Sequence, residues 1–490
     1  MNKIVVQAPV LIGLVSIVSF LALNHWRRRK LPPNVDVTKF PLGEKPWKTY
    51  ARLSKKLGPV ICVPSFGKTV VIINTAECAT ELVERRVNFA CKPRWPMAEL
   101  LGKQHSVAFV YYGERHKKLR KVLHASLNAN IVVSTWGNHM DVQSISLCEA
   151  LLANPEDFFA LIEDNIQRHV IGHVYGRQPT SDHCRILKDV MDQTSMALQP
   201  GRWLVDLWPA LLYVPSWVPG AGFKRWAAEA KTLFLRSIEE PFSVAKSDVA
   251  SGTAQFSFVQ HALLNAPNMD AEDESVLIDA AGTFVTAGTE TTVSALLTFV
   301  AMMAKYPLVQ QKAFNEIRAV LGNENRLPNL HDRASMPYIE CLISELLRFN
   351  PSVPLIPHSN TNEDVYQDSF IPKKSWILIN VWAILHDEET YPDPEEFIPE
   401  RFEQGKGTPA PDPRAFVFGL GRRRCPGAPF AELIIFLTIT RMLTLFEFSL
   451  EEGDNQPFDV VPRLVTIPKP FKCRVVARPN AKSALEAHAA

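Results

Sequence analysis

Cys425 is the residue whose surroundings most clearly suggest chemistry, in the segment FGLGRRRCPG that spans 418–427. Gly421 and Gly427 permit tight turns that bring backbone N–H groups close to the sulfur. Arg423 adds positive charge, and a helix beginning near Pro426 would direct the positive end of its dipole towards the same point. Both effects stabilise a deprotonated sulfur. The segment therefore predicts a thiolate that binds a metal centre.

A second candidate site lies in the long apolar segment 275–306, whose pattern predicts a helix. Ala287, Gly288 and Thr291 share one face of that helix because they are spaced three and four residues apart. The two small residues would let this face approach a flat group closely and leave room for a small molecule beside it. The hydroxyl of Thr291 would then donate to that molecule while Glu290 supplies protons through water. By itself, the same pattern is also typical of helix packing.

Together the two segments resemble the cytochromes P450, the haem-thiolate monooxygenases. The first fits the pattern F-x-x-G-x-R-x-C-x-G at every fixed position, and the second fits A/G-G-x-D/E-T-T/S with Glu as the acid. The resemblance implies haem b (iron protoporphyrin IX) as the cofactor, with Cys425 as the axial ligand of the iron. Arg423 would reach a haem propionate, and Phe418 would shield the sulfur from water.

Three further charged residues match the family's pattern. Glu345 and Arg348 are three residues apart on a predicted helix, a spacing that alone contributes only about 0.2–0.5 kcal/mol. Arg401, in the sequence PERF at 399–402, occupies the position where the family places the third member of a buried Glu-Arg-Arg network. The resemblance therefore implies a structural role for this trio in the core on the haem side.

The resemblance also suggests partners for the haem propionates. The segment from Tyr112 to Arg120 resembles the helix that reads W-x-x-x-R in many relatives, but His116 stands in place of the tryptophan. Arg120 is expected to contact a propionate. His116 either replaces the tryptophan N–H with its own or faces solvent. His358 matches a position that often offers a cation to a propionate, and the alternative is a surface histidine.

The fold class predicted from these patterns is mainly α with small β-sheets. We expect a single large P450-type fold behind an N-terminal transmembrane helix. Short β-branched runs around a glycine turn predict a hairpin over 59–74, and proline after Asn350 is expected to end the helix 332–349. Residues 31–478 are predicted to be the catalytic domain. Residues 479–490 are predicted to be a flexible tail.

The N-terminus carries twenty uncharged residues, 4–23, followed by the basic run 27–30. At about 1.5 Å of rise per residue, such a helix crosses a hydrocarbon core of roughly 30 Å. Positive charge is retained in the cytosol, so residues 1–30 are predicted to be a single-pass anchor in the endoplasmic reticulum membrane with a cytosolic catalytic domain. The alternative is a cleaved signal peptide, whose apolar region would be shorter and would follow its basic residues.

Composition limits the classes of protein that fit. Of 490 residues, 47% are hydrophobic, enough for a large core rather than a disordered chain. The 53 Lys and Arg against 51 Asp and Glu give a net charge of +2, which argues against a nucleic-acid partner. The eight cysteines are scattered without a C-x-x-C pair, so we expect reduced thiols rather than disulfides or a zinc site.

The resemblance implies a monooxygenase that inserts one oxygen atom from O2 into a small lipophilic substrate. Electrons would come from NADPH through a separate NADPH–cytochrome P450 reductase, since the chain has no flavin or nucleotide domain. The candidates for docking it are four basic residues, Arg115, Lys117, Lys118 and Lys121. The apolar stretch 214–223 resembles fungal members that act on secondary metabolites, which suggests a terpenoid or polyketide intermediate. In relatives this stretch contacts the membrane.

Two other classes of protein are considered. A haem-thiolate isomerase or dehydratase rearranges peroxides without O2, and it dispenses with the acid and alcohol that this chain keeps at Glu290 and Thr291. A non-catalytic haem carrier or membrane scaffold would not require both the thiolate loop and the oxygen-activating helix. The residues on both sides of the predicted haem therefore favour a monooxygenase.

Overall fold

The computed structural model describes residues 31–35, 45–65, 68–199, 201–322, 324–405, 407–451 and 457–489. Within these ranges the chain is mainly helical with small sheets, as the sequence predicts. The predicted anchor helix and its basic run lie outside the described residues. Contacts group the chain into two compact units, a smaller one of 1–93 and 357–380 and a larger one of 94–356 and 381–490. The catalytic-domain bounds 31–478 stay a prediction.

The first half of the described chain contains two strands and most of the long helices. In order they are α1 (Pro46–Leu57), β1 (Val60–Ser65), β2 (Lys68–Ile73), α2 (Ala76–Ala79), α3 (Pro96–Leu100), α4 (Glu114–Leu127), α5 (Ala129–Ile131), α6 (Gly137–Ala153), α7 (Phe158–Tyr175), α8 (Ser181–Ala197), α9 (Leu204–Leu207), α10 (Gly222–Ser251), α11 (Phe258–Asn265) and α12 (Ala271–Lys305).

The second half alternates helices with short strands. In order these are α13 (Pro307–Leu321), α14 (Pro337–Phe349), β3 (Leu355–Ser359), β4 (Asp364–Tyr366), β5 (Ser369–Ile371), β6 (Trp376–Asn380), α15 (Val381–Leu385), α16 (Arg414–Val417), α17 (Ala428–Leu445), β7 (Phe446–Ser449), β8 (Val460–Val461), β9 (Ile467–Pro468), β10 (Arg474–Ala477) and α18 (Ala481–Ala489).

The smaller unit is built on the predicted hairpin. Strands β1 and β2 pair antiparallel, with Val60 opposite Ile73. Their β-branched residues favour the extended backbone and pack on the pleated surface. Strand β6 lies parallel to β2, with Val70 opposite Trp376, and the strand order of the sheet is β1-β2-β6-β3. Strands β4 and β5 form a separate two-stranded ribbon.

The larger unit is organised around α12, which has 35 residues. This helix packs against α4, α7, α10 and α17, and α6 packs against α7 and α17. It begins four residues before the predicted segment because the carboxylate of Asp270 accepts the backbone N–H of Asp273 across 2.8 Å. Acidic residues in its first turn add a favourable interaction with the helix dipole. Helix α14 ends at Phe349, before the Asn350-Pro351 pair that the sequence marks as its end.

Two of the described helices are long and apolar enough to cross a membrane, α12 and α17. In these helices 72% and 78% of the most apolar stretch is buried inside the protein, so both are accounted for as core helices. Their apolar side chains form the centre of the larger unit's hydrophobic core.

The C-terminal segment differs from the predicted flexible tail. Residues 481–489 form α18, in which Ala481, Ala484 and Leu485 are buried against the core of the larger unit. Their spacing of three and four residues places them on one helix face. His488 on α18 contacts Asp141 on α6, with 2.8 Å between Nε2 and Oδ2. The helix is therefore docked by apolar burial and by one polar contact.

Candidate active site

The thiolate loop, residues 418–427, leads from α16 to α17 through a short 3-10 turn. The backbone N–H of Cys425 donates to the carbonyl oxygen of Phe418 across 2.6 Å, which closes the loop. Gly419 and Gly421 have φ angles of 73° and 55°, in a left-handed region that residues with a Cβ rarely adopt. The backbone conformation therefore favours glycine at Gly421, as predicted. It also favours glycine at Gly419, which the sequence analysis did not single out.

Several groups act on the sulfur of Cys425. Desolvation by the surrounding protein is the largest influence and raises the pKa of the thiol. The backbone N–H groups of Gly427 and Ala428 oppose this, and so do the charges of Arg120 and Arg424. The loop thus makes deprotonation of the thiol less unfavourable, although the pKa of the thiol stays raised. A bound metal cation would stabilise the thiolate further, because a thiol that coordinates a metal is deprotonated.

The surroundings of Cys425 fit a haem rather than a bare metal ion. The Cys425 side chain is accessible to solvent, although the protein around it desolvates the sulfur. Across the described ranges, His, Cys, Asp and Glu form no group of three or more that could hold a metal ion. Iron bound here needs its other ligands from a prosthetic group. Phe418 is half-buried against the apolar core, and its shielding of the sulfur stays a prediction.

The two arginines expected at the propionates also have protein partners. Arg120 Nη1 donates to the carbonyl oxygen of Arg424 across 2.6 Å, so its charge lies beside the thiolate loop. Arg423 Nη2 donates to the carbonyl oxygen of Val110 across 2.8 Å, and Nη1 lies 3.4 Å from that of Val107. A guanidinium has five N–H donors, so these bonds leave contacts with propionates feasible. Those contacts stay predictions.

The predicted oxygen-activating residues lie together on α12. Ala287 is exposed within a helix that is otherwise largely buried, while Gly288 and Thr291 are half-buried. A Cβ at Gly288 would lie 3.4 Å from Cγ1 of Val170, so this glycine allows α7 to pack closely on α12. Ala287 is therefore the small residue that lies next to open space, whereas Gly288 serves the packing of α7 on α12. The sequence analysis predicts that both Ala287 and Gly288 leave open space.

The hydroxyl of Thr291 has a partner that the sequence does not predict. It donates to the carbonyl oxygen of Ala287, one turn earlier on α12, across 2.7 Å. A hydroxyl has a single donor but can still accept hydrogen bonds. In this conformation Thr291 can therefore accept from a water or another donor. Donation to bound oxygen, as predicted, requires it to leave Ala287 first.

Glu290 is the predicted acid of the site. Desolvation is the largest influence on its carboxyl and raises the pKa to about 7, and Asp192 adds to the rise. Arg463 and Lys103 act in the opposite direction. Asp192 and Arg463 form an ion pair with 2.9 Å between Oδ1 and Nη1. Near neutral pH, Glu290 is therefore present in both protonation states, which suits a group that gives and regains protons.

Neither predicted histidine faces solvent. His116 on α4 is buried, and its ring centroid lies 5.4 Å from that of Tyr112. His358 belongs to the smaller unit, is also buried, and has Nδ1 2.9 Å from the carbonyl oxygen of Phe89. The solvent-facing alternatives are therefore excluded. Contact of either ring with a propionate stays a prediction.

The three residues of the predicted Glu-Arg-Arg network lie together. Arg348 binds the Glu345 carboxylate through two N–H groups, with Nε–Oε2 2.7 Å and Nη2–Oε1 2.9 Å. Arg401 Nε donates to the same Oε2 across 3.1 Å, and the backbone N–H of Ile398 donates to Oε1 across 2.8 Å. Glu345 and Arg348 are completely buried. Such a two-pronged pair fixes geometry as well as charge.

Comparison with known proteins identifies the family of this chain. Residues 29–475 match the family described as Cytochrome P450. The chain belongs to the cytochrome P450 family. Its relatives include Cytochrome P450 monooxygenase 208 of Postia placenta, 33% identical over 88% of this chain and 86% of the relative. Cytochrome P450 monooxygenase claR of Ampulloclitocybe clavipes is 32% identical over 97% and 91%, and ppsD of Aspergillus oryzae is 30% identical over 89% and 85%.

Membership of the P450 family settles the class of enzyme. The chain is an oxygen-incorporating oxidoreductase, and its family uses a haem iron cofactor. Cys425 would hold that group in this P450. The residues around Cys425, described above, fit a thiolate-bound haem.

The basic face of α4 is less available in this P450 than its sequence suggests. Arg115 forms an ion pair with Asp279 on α12. Lys118 lies 3.0 Å from a carboxylate oxygen of Glu272, and Lys117 lies 2.6 Å from one of Glu114. Three of the four predicted docking cations therefore already have acidic partners within the chain. The exposed arginines of the thiolate loop are further cations that a redox partner can reach, namely Arg422 and Arg424.

Two charged residues near the core of this P450 escaped the sequence analysis. Arg441 is completely buried in α17, where it pairs with Asp141 and donates to Ser144 Oγ across 2.6 Å. A single arginine within a predicted apolar helix could have indicated this buried charge. Lys103 is 5% exposed. It stands in the polar string GKQH, which is typical of a surface loop, so the sequence offered no signal for its burial.

Proposed function

We propose that this P450 inserts one oxygen atom from O2 into a small lipophilic molecule, a terpenoid or polyketide intermediate of secondary metabolism. A C–H bond of the substrate becomes C–OH, and the second oxygen atom leaves as water. NADPH and one proton supply the two electrons and two protons that balance this reaction, through a separate NADPH–cytochrome P450 reductase. The observation that carries the proposal is the acid–alcohol pair Glu290 and Thr291 beside the exposed Ala287.

The residues of the chain divide the remaining work among them. Haem b, when bound, supplies the oxygen chemistry and the electron sink. Cys425 would hold the haem iron through its sulfur, supported by the N–H groups at the start of α17. Glu290 holds a proton close to its point of release at neutral pH. The oxygen of Thr291 accepts from a water that carries this proton, since its own hydrogen is bonded to the Ala287 carbonyl.

Contact with a membrane is supported by the surface between α9 and α10. Tyr213 and Trp217 are 85% and 79% exposed, and Leu204 and Trp208 are about half exposed. Exposed aromatic side chains that gather in one stretch of sequence suit a membrane–water interface, where an apolar ring and a polar edge are both accommodated. We propose that this stretch lies on the endoplasmic reticulum membrane with the catalytic domain in the cytosol. The anchor in residues 1–30 would hold it there.

The proposal is tested by measuring coupling in the reconstituted system. The P450 and its reductase are incubated with candidate terpenoid or polyketide substrates, and NADPH consumed, peroxide released and product formed are measured. Thr291→Ala should keep haem content, because alanine has the better helix propensity, while peroxide replaces product. Glu290→Gln should slow product formation because the carboxyl proton is lost.

A matched control is Thr289→Ala. Thr289 makes the same kind of bond one turn back, to the Val285 carbonyl across 2.7 Å, but it is buried on another face of α12. Its removal should leave coupling unchanged. Full coupling in both Thr291→Ala and Glu290→Gln would refute the proposed proton delivery. Product formed without NADPH and O2 would instead identify a peroxide-rearranging isomerase.

A further inference from the structure

Four charged residues form an ion-pair cluster beside α14, which we call the clamp: Arg333, Glu340, Arg414 and Glu432. Arg333 Nε lies 2.7 Å from Oε1 of Glu340, and Arg414 Nη2 lies 3.2 Å from Oε2 of the same carboxylate. Oε2 of Glu432 lies 3.5 Å from Arg333 Nη2 and 3.4 Å from Arg414 Nε. Each cation of the clamp therefore lies close to both anions.

Two members of the clamp flank the thiolate loop in the sequence. Arg414 is the first residue of α16, four residues before the loop begins. Glu432 lies on α17, seven residues after Cys425. Glu340 belongs to α14, and Arg333 to the turn that precedes it. Since α14 packs against both α16 and α17, the clamp joins the entry of the loop and its exit to one helix.

The entry side of the loop connects Arg414 to Cys425 through short hydrogen-bonded turns. The backbone N–H of Gly419 donates to the carbonyl oxygen of Phe416 across 2.9 Å, and that of Cys425 donates to Phe418 across 2.6 Å. Closed turns of this kind leave the backbone few alternative conformations. A displacement of Arg414 would therefore be passed on to the sulfur.

The exit side connects Glu432 to the N–H groups that act on the sulfur. The N–H of Ala431 donates to the carbonyl oxygen of Gly427 across 2.9 Å, so the first turn of α17 is formed directly after the loop. The N–H groups of Gly427 and Ala428 stabilise a thiolate at Cys425. Glu432 follows within about one turn on the same helix, and a hydrogen-bonded helix moves as a unit. Fixing Glu432 therefore fixes these donors.

Arg414 is the member that makes the clamp more than a group of surface pairs. Its side chain is only 12% exposed. Besides its contacts with the two glutamates, Nη1 donates to Ser344 Oγ on α14 across 2.8 Å. Asp412 lies 3.2 Å from the same nitrogen but is 59% exposed, so solvent screens it. Isolated exposed pairs contribute little, whereas several charges with defined geometry act as a network. The planar guanidinium suits this role because its donors point to several partners at once.

The clamp is distinct from the buried trio around Glu345, although α14 carries members of both. Glu340 and Glu345 are five residues apart, a spacing that places them on different sides of a helix with 3.6 residues per turn. The trio binds the segment that contains Arg401. The clamp instead binds the two elements that border the thiolate loop.

We propose that Arg414 and Glu432 are positioning residues for Cys425, which hold the closing turn of the thiolate loop and the first turn of α17 in a fixed relation. In that relation the N–H groups of Gly427 and Ala428 stay directed at the sulfur. Hydrogen bonds to a thiolate ligand stabilise the more negative, reduced state of the iron and so raise its reduction potential. A loosened clamp should lower this potential and make the thiolate easier to lose. This inference rests on Cys425 as the haem ligand of the proposed function.

The test uses the haem-loaded protein and two spectroscopic readouts. They are the reduction potential of the iron and the share of the reduced carbon monoxide complex that keeps the red-shifted band. Glu432→Gln and Arg414→Met should each lower the potential and reduce this share. The double variant should change both no further than the stronger single variant, because the two residues act through one bridge. If Arg414→Met does not fold, Arg414→Gln gives the same comparison.

The matched control is Asp248→Asn, which breaks a pair between α10 and the segment after α7. Asp248 is 12% exposed, like Arg414, and its Oδ2 lies 2.5 Å from Arg177 Nε. The control should lower stability in urea while the potential and the band stay as in the parent.

The inference is overturned if the clamp variants behave like this control, because a merely structural role lowers stability without moving either readout. Equal changes in Asp248→Asn, or additive changes in the double variant, would also overturn it. Failure of the proposed ligand looks different. If Cys425 does not bind the iron, the red-shifted band survives in Cys425→Ala, whatever the clamp variants show.

Discussion

Replacing Glu345 by glutamine tests the buried charge network most sharply. The substitution keeps the shape of the side chain and removes its charge. The Glu345 carboxylate accepts two N–H groups from Arg348 and one from Arg401, within 2.7–3.1 Å. A glutamine offers one carbonyl oxygen and directs an NH2 group at a donor. Two guanidinium groups are then left without their shared countercharge in the interior.

The expected loss of folding stability follows from the burial of these three side chains. Glu345 and Arg348 have no exposed side-chain surface, and Arg401 is 7% exposed. Removing one partner of a buried ion pair typically costs about 3–5 kcal/mol, because the remaining charge stays desolvated. Since a domain is stable by only about 5–15 kcal/mol, Glu345→Gln should lose a large fraction of that margin. Arg348 keeps its bonds to the carbonyl oxygens of Leu385 and Glu396, so the loss should stay within that range.

The assay is urea unfolding of the haem-loaded protein, followed by far-ultraviolet circular dichroism and by haem absorbance. The matched control is Glu240→Gln, which breaks a surface pair with Arg236 on α10 whose side chains are about half exposed. Surface pairs contribute about 0–1 kcal/mol, so the control should unfold almost like the parent. If Glu345→Gln unfolds at the same urea concentration as the control, the network does not carry a buried, shared charge.

Three further outcomes are expected. Product formed per NADPH should fall as pH rises through about 7, because the Glu290 carboxyl, with its pKa raised to about 7, loses the proton it delivers, and Glu290→Gln should abolish this dependence. Gly282→Ala should lower the free energy of unfolding by about 1–3 kcal/mol in denaturant titrations, because the new Cβ would lie 2.6 Å from Cγ2 of Ile238. Unchanged stability would contradict the close packing of α10 against α12. Deleting residues 480–490 should lower the unfolding midpoint, since burial of Leu485 alone contributes about 1.5–3 kcal/mol; a flexible tail could be removed without effect.

The thiolate loop could be predicted because its chemistry is local. The glycines, Arg424 and the start of the helix that act on Cys425 lie within about ten residues of it, so spacing alone places them near the sulfur. Arg120, which also acts on the sulfur, lies on α4 and reaches the loop only through the fold. The acid–alcohol pair is likewise local, since Glu290 and Thr291 are neighbours on one helix. The trio around Glu345 required the family resemblance, because Arg401 is distant in sequence and nothing in the spacing indicates that it returns to the carboxylate.

What the sequence could not predict depends on contacts between distant elements. The role of Gly288 in packing follows from Val170 on another helix, and the burial of Lys103 follows from Phe234 on α10. The bond from the Thr291 hydroxyl to the preceding turn is a choice between two allowed partners, which a motif does not specify. The docking of Leu485 depends on a core surface that no local pattern reveals.

The most direct test of the central claim is the absorption spectrum of the reduced protein with carbon monoxide bound. Cys425→Ala should lose its haem or lose the red-shifted band that reports a thiolate ligand. Cys184→Ala, which removes a buried free thiol elsewhere, should keep that band. Survival of the red-shifted band in Cys425→Ala would contradict the assignment of Cys425 as the iron ligand and, with it, the site built around this residue.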